Sequence, residues 1–203
     1  MKYGTTSRTP QIGLDEMPTT LSEIITNKNL VTDKDSLHSY ITRFYEQEFV
    51  KYRDRPIQII EIGIDQGGSL ILWAEYFTNA KILGVDLQLR GSCERDCTQY
   101  PNIQLALGNA YDHHSLQYYP SADIIIDDGP HTIESQIWAI KNLSHRVKSG
   151  GIFIIEDIAN DKTLDLLKAA TPFHLMDYIE IVDLRGVKGR SDDLMFVIRI
   201  PER

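Results

Sequence analysis

Residues 122–131 read Ala-Asp-Ile-Ile-Ile-Asp-Asp-Gly-Pro-His. Three consecutive isoleucines between an aspartate and a Gly-Pro turn make a short strand buried on both faces, and such strands belong to parallel sheets. The strand then ends on Asp127 and Asp128. In an open α/β sheet, ligands collect in the crevice beyond the carboxyl ends of the strands, so acids placed there face a ligand. The turn at Gly129-Pro130 presents His131 just beyond them. Taken alone, Asp-Gly-Pro is ordinary turn chemistry. The flanking segments decide between the two readings.

Downstream, Ile133, Ile137, Ile140 and Leu143 give an amphipathic helix over residues 133–147, closed by Lys148-Ser149-Gly150-Gly151. A strand over 152–155 delivers Glu156-Asp157 at its end, a helix follows over 161–170, and residues 179–184 and 194–200 read as two final strands. The connection from Arg185 to Asp193, which carries Arg190, is too polar and Gly-rich for the core.

Upstream, Arg55-Pro56 stops a helix and residues 57–62 form the first strand. Glu61-Ile62-Gly63-Ile64-Asp65-Gln66-Gly67-Gly68-Ser69 follows, then a helix bearing Leu70, Leu72, Trp73 and Phe77. Glycines between a buried strand and a helix let backbone approach a ligand closely. A nicotinamide site would prefer Gly-x-Gly-x-x-Gly, and here Glu61 takes the first position. The strand over 81–85 ends in Asp86, 25 residues on from Glu61, where an acid accepts from both hydroxyls of a ribose. A third strand over 103–107 leads to Gly108-Asn109-Ala110, and residues 88–102 read as a polar loop that can include a turn of helix.

Nearer the start, residues 19–27 read as a short helix. Ile41, Phe44, Tyr45 and Phe49 form the apolar face of another, with Asp35 or Ser36 as its N-cap. Residues 1–18 lack an apolar period and read as a disordered arm, with a lid over ligand as the alternative. Alternating strands and helices closed by a strand pair make a three-layer α/β sandwich. We expect an arm with cap helices over 1–50 and one larger domain over 51–203.

At 203 residues and 42% apolar, the chain can bury a sizeable core as one domain. No apolar run approaches the roughly 20 residues of a membrane span, and the first residues lack a signal-peptide core. A soluble cytoplasmic protein is expected. Cys93 and Cys97 are the two cysteines; they form neither a disulfide framework nor a zinc site, and read as free thiols. A net charge of −8 disfavours a nucleic-acid partner, because binding there rests on neutralising phosphates. A small hydroxylated molecule is the expected partner, with a homo-oligomer left open.

Together, Glu61-Ile-Gly-x-x-x-Gly-Gly-Ser69, Asp86, Asp127-Asp128-Gly-Pro-His131, Gly150-Gly-x-x-x-x-Glu156-Asp157 and the terminal strand pair resemble a class I S-adenosylmethionine-dependent methyltransferase. Within that class they are similar to the metal-dependent sugar O-methyltransferases of macrolide biosynthesis and the cephalosporin-hydroxylase-like group. The resemblance covers about residues 32–200, including the segment Thr32-Asp33-Lys34 and His38-x-Tyr40. It implies a mostly parallel seven-stranded Rossmann-like sheet with an antiparallel C-terminal pair. The macrolide enzymes carry a longer N-terminal region than this chain. Asn109 stands where many methyltransferases have an adenine-binding Asp.

The resemblance further implies Glu61, Gly63, Gly67 and Ser69 around the methionine portion of S-adenosylmethionine. It puts Asp86 on the ribose, Asn109 and Ala110 near adenine, and Asp127 against loop amides beside the cofactor. Asp128, Glu156 and Asp157 would hold a divalent cation, Mg²⁺ first with Mn²⁺ or Ca²⁺ as alternatives. His131 would act with Asp128 in catalysis as the general base, or else as a further ligand. Lys34, His38, Tyr40 and Arg190 would face substrate, with plain helix-surface positions as the alternative for His38 and Tyr40. Physical argument runs the same way: neighbouring strands lie about 4.8 Å apart, so acids ending two of them meet in one small volume. Crowded carboxylates repel unless protonated or bridged by a cation, and oxygen donors select hard ions. Adjacent strand residues point to opposite faces, so Glu156 and Asp157 share an ion only if the strand has already turned; otherwise one of them caps the next helix. Other readings are methylation of a catechol, chemistry of the cephalosporin-hydroxylase-like group, and a binding module that keeps the cofactor fold without catalysis.

Overall fold

The computed structural model describes residues 19–202, so the expectation of an arm or lid over 1–18 lies outside the described residues. Seven strands form one sheet: β1 Gln58–Ile62, β2 Lys81–Asp86, β3 Ile103–Leu107, β4 Ala122–Asp127, β5 Val147–Ile155, β6 Ile179–Asp183 and β7 Leu194–Arg199. Their spatial order is β3-β2-β1-β4-β5-β7-β6. The first five run parallel, and β7 pairs antiparallel with both β5 and β6. This is the sheet that the sequence implied.

The isoleucine run explains how the layers are made. Along β4, Ile124 and Ile126 enter one apolar cluster with Trp73, Phe49 and Leu21, whereas Ile125 enters another with Ile140, Leu143 and Leu167. Period-2 side-chain alternation therefore feeds a core on each face. The first cluster is covered by α1 Leu21–Lys28, α3 Glu46–Phe49 and α4 Gly68–Tyr76; the second by α6 Ile133–Leu143 and α7 Asp161–Ala170. The cap helices share a cluster with the sheet, so they belong to its packing.

Three local expectations change. The helix before β1 is broken: α2 Asp33–Ser36 starts after Thr32, and a π-helical turn Ile41–Tyr45 leads into α3. Neither Asp35 nor Ser36 is its N-cap, because both lie within α2. Second, α6 ends at Leu143, a 3₁₀ turn covers Ser144–Arg146, and Val147 already pairs with Ala122. Third, the turn of helix allowed for after β2 is α5 Cys93–Cys97, and its thiols, free as expected, are buried against Gly67 rather than in a polar loop. No helix among the described residues is long and apolar enough to cross a membrane.

Two glycines bring the loop after β1 close to its neighbours. Gly63 has φ +82°, and a Cβ there would stand 1.8 Å from the carbonyl oxygen of Asp128. Gly68 lets the carbonyl of Val31 come so near that a Cβ would lie 1.9 Å away. The β1–α4 loop is thus wedged between the end of β4 and the segment leading into α2. Gly63→Ala should lower the unfolding free energy by about 2 kcal/mol or more, from left-handed backbone strain plus the clash. Urea unfolding measures it, and an unchanged midpoint would show that the loop gives way freely.

Candidate active site

A cleft of about 760 Å³ opens over the carboxyl ends of β1, β2 and β4. Its floor is the loop from Gly63 to Ser69, one side holds Asp86, Asn109 and Ala110, and the other holds Asp128 and His131. The rim opposite is the segment Val31–Leu37.

On the β2 side of the cleft, Asp86 Oδ2 accepts the backbone N–H of Ile64 at 2.9 Å and of Asp65 at 3.2 Å, and Oδ1 accepts that of Gln88 at 3.2 Å. A carboxylate offers about four lone-pair sites, so Asp86 can shape the loop and still accept from a ligand. Asn109 Oδ1 is taken by the N–H of Tyr111 at 3.0 Å, which leaves its amide nitrogen as the group to offer. Ser69 and Ala110 line the cleft while nearly buried. Gly67 does not line it; its φ of +83° starts α4 and its missing side chain makes room for Cys93 and Cys97. Asp127 is buried below, accepting from the Tyr111 hydroxyl at 2.5 Å with Oδ2 left unpartnered. Burial lifts its carboxyl to about 7 against the pull of Tyr111.

At the other end, Asp128, His131 and Asp157 each bring one ligand-type atom to within 4.8 Å of the others. His131 Nε2 is 3.6 Å from Asp157 Oδ2 and 3.9 Å from Asp128 Oδ1. His131 and Asp157 both have φ of +54°, an uncommon conformation for residues with a side chain. That turn settles the geometry beyond β5. Asp157 faces His131, and Glu156 goes inward, 1% exposed, under Lys34 and Tyr45. Neither caps α7, whose N-cap is Asn160.

The two carboxylates suit a hard divalent cation such as Mg²⁺ or Mn²⁺, and the imidazole stands beside them. Glu156 is not in that group; both of its oxygens are engaged by Lys34 and Tyr45.

Lys34 is wholly buried. Its Nζ donates to Asp128 Oδ2 and to Glu156 Oε2, the latter at 2.6 Å, and lies 3.3 Å from Glu61 Oε1. Burial opposes its charge, but Asp128, Glu156 and Glu61 outweigh that and hold its pKa well above the lysine range. Burial also pushes Asp128 well up and Glu156 up to about 7, in each case against the attraction of Lys34. Burial keeps the His131 imidazole below its usual pKa, with Asp157 opposing.

The remaining expected residues act at one remove. Glu61 is fully buried and accepts from Trp73 Nε1 at 2.7 Å, so its side chain does not reach the cleft. Tyr40 donates to Asp157 Oδ1 at 2.7 Å and stacks on His38, whose Nδ1 is 2.5 Å from Asp193 Oδ1. Lys34, His38 and Tyr40 therefore hold the acids from behind instead of facing a substrate, because the cap segment folds down onto the strand ends. Arg190, in the β6–β7 connection, pairs with Asp192 at 3.0 Å and does not line the cleft. Sequence reasoning missed Tyr45, Tyr111, Asp193 and Asp33. Tyr45 and Tyr111 carry no signal beyond an apolar period or a loop. Asp33 sits beside Lys34 in the quoted segment, and it lines the cleft.

No family model matches the sequence. The chain is 32% identical over 138 residues to the 8-demethyl-8-alpha-L-rhamnosyl tetracenomycin-C 2'-O-methyltransferase of Streptomyces olivaceus, covering 63% of this chain and 35% of that protein. It is 30% identical over 145 residues to the demethylmacrocin O-methyltransferase of Streptomyces fradiae, covering 66% and 35%. The chain thus spans about a third of the length of the curated relatives it matches. Among solved structures, the MycE methyltransferase of the mycinamycin pathway, in complex with Mg, SAH and mycinamycin VI, superposes with a TM-score of 0.70 at 21% identity. That match covers 91% of this chain and 54% of the other. The group that the motifs resemble is the group these relatives come from, and the fold is that of a class I methyltransferase.

Tyr45→Phe should leave a buried oxygen of Glu156 without a donor and cost about 1–3 kcal/mol, while S-adenosylhomocysteine affinity stays within a few fold. Urea unfolding and calorimetry measure the two quantities, and unchanged stability would mean that the Tyr45 bond contributes nothing.

Proposed function

We propose that this chain carries an S-adenosylmethionine-dependent, divalent-cation-dependent O-methyltransferase activity toward a hydroxyl of a sugar on a glycosylated small molecule. The observation that carries it is one cleft with a nucleoside-type end at Asp86 and Asn109 and a cluster of Asp128, His131 and Asp157 at its other end. The named relatives act on such acceptors, and their similarity supports the reading.

The loop from Gly63 to Ser69 would receive the methionine portion, Asp86 the ribose hydroxyls, and the amide of Asn109 with Ala110 the adenine. A neutral sugar hydroxyl is a poor nucleophile. A cation held by Asp128 and Asp157 would lower its pKa and fix its direction. His131 would take the proton at its imidazole, which burial keeps unprotonated near neutrality. Methyl transfer needs alignment more than further chemistry, and both ends line one continuous cleft. Val31 and Leu37, both exposed on the rim, offer apolar surface to the rest of the acceptor. A catechol acceptor has less support: among the described residues lining the cleft, the aromatic rings are Tyr111 and His131, and Trp73 is core. A net charge of −8 also speaks against a nucleic-acid acceptor.

S-adenosylhomocysteine should raise the melting temperature by mass action on the folded state, and Asp86→Ala should remove most of that shift. Stabilisation by NADH without stabilisation by S-adenosylhomocysteine would defeat the cofactor assignment.

Turnover should require Mg²⁺ and stop in excess EDTA. His131→Gln should lower kcat by about 10² or more with cofactor affinity little changed, because an amide keeps a hydrogen bond but cannot carry the proton. Wild-type kcat in that variant would remove His131 as the base.

A further inference from the structure

Lys34 arrives at the centre of the acidic cluster by construction. Thr32 starts the short helix α2, and the tight contact of the Val31 carbonyl with Gly68 fixes where that helix begins. The side chain then runs inward and ends fully buried between the ends of three parallel strands, at Glu61 in the last residues of β1, Asp128 after β4 and Glu156 after β5. No solvent path is needed to neutralise it, since its partners are all within 3.3 Å. The contact divides Asp128: Oδ2 is bonded to the ammonium, and Oδ1 faces His131 Nε2 at 3.9 Å on the cleft side.

Resting on the cation reading above, we propose that Lys34 is a positioning residue that serves as the resident counter-ion of the cluster. Its fixed positive charge lets the strand-end carboxylates fold together without a divalent ion. The same charge keeps the affinity of the adjacent cation site low enough for exchange. Like charges at such spacing in a partly dry site repel strongly, so the ammonium necessarily weakens the hold of Asp128 and Asp157 on a second cation. An uncompensated group of buried carboxylates would be strongly destabilising, so removing the ammonium while the carboxylates stay ionised must either unfold the cluster or recruit a cation in its place. A side chain that merely filled space would do neither. A substrate contact, the expectation from sequence, is closed to Lys34 by its burial.

The test uses Mn²⁺ as the probe, with free Mn²⁺ followed by electron paramagnetic resonance and melting temperature recorded with and without Mn²⁺. Lys34→Met removes the charge at similar length, and Lys34→Gln also removes the charge but keeps hydrogen-bonding capacity. Both variants should melt roughly 6 °C or more below wild type in EDTA. Both should recover more in Mn²⁺ than wild type gains, and bind Mn²⁺ about tenfold or more tightly. Unchanged or weaker Mn²⁺ binding in either variant overturns the proposal, and so does failure of either to fold even in Mn²⁺, because a cation should replace the lost charge. If wild type itself takes up no Mn²⁺, the cation reading fails. If wild type binds and the variants match it, only the assignment of Lys34 fails.

Discussion

Parallel strands that end side by side must bring whatever follows them into one volume, and here each of three strands is followed, or ended, by an acid. Glu61, Asp128 and Glu156 meet below the cleft, with Asp157 just above them. Moving one carboxylate out of water costs several kcal/mol even after relaxation, and like charges add to that. The rest of the chain answers this constraint with donors. The cap segment supplies Lys34, His38, Tyr40 and Tyr45, and α4 supplies Trp73. A buried ion pair of this kind stabilises little by itself. Stability comes from the two apolar clusters on either face of the sheet, which hold the strand ends where the acids must meet.

The same arrangement couples the N-terminal segment to the site. In a sheet of this type the ligand cleft is usually built by loops after the strands, yet one rim here is Val31–Leu37, which precedes β1 in sequence. That segment is tied down twice over, by side chains reaching the acids beneath it and by Lys188, whose Nζ donates to the carbonyls of Asp35 and His38 at 2.7 and 2.8 Å. Substitutions that loosen it therefore disturb the rim of the cleft and the charge balance below it together.

How much of this was legible follows from which interactions are local. The strands β1 to β4 were readable within a residue or so, because buried runs such as Ile124-Ile125-Ile126 and the flanking turn residues are contiguous in sequence. The acids at strand ends were readable for the same reason. The break at residues 37–39 was not, since the Ile41, Phe44, Tyr45 and Phe49 spacing carries no mark of it, and Lys34, His38 and Tyr40 around it pair with acids far along the chain. The inward turn of Glu61 was equally hidden. Its partner Trp73 lies on the next helix, and pairing between an indole and a carboxylate leaves no mark in apolar periodicity. The start of β5 at Val147 was obscured because Lys148-Ser149-Gly150-Gly151 has the composition of a turn; the strand continues through it by pairing and by the bulge between Ala122 and Ile124.

Asp128 and Glu156 show why residue type and position do not by themselves assign a ligand. Both are acids directly beyond adjacent parallel strands, and from sequence they are equivalent candidates. What separates them is the donor on the far side: Glu156 gives one oxygen to Lys34 and the other to Tyr45, whereas Asp128 gives one to Lys34 and keeps the other toward the cleft. Asp157, beside Glu156 in sequence, turns toward His131 instead, with its backbone in the left-handed region. A carboxylate serves a cation best with lone pairs that its own protein has not already taken. In this fold that allocation is made by side chains of the cap segment, more than a hundred residues away in sequence from Glu156, and the strand ends supply only the candidates.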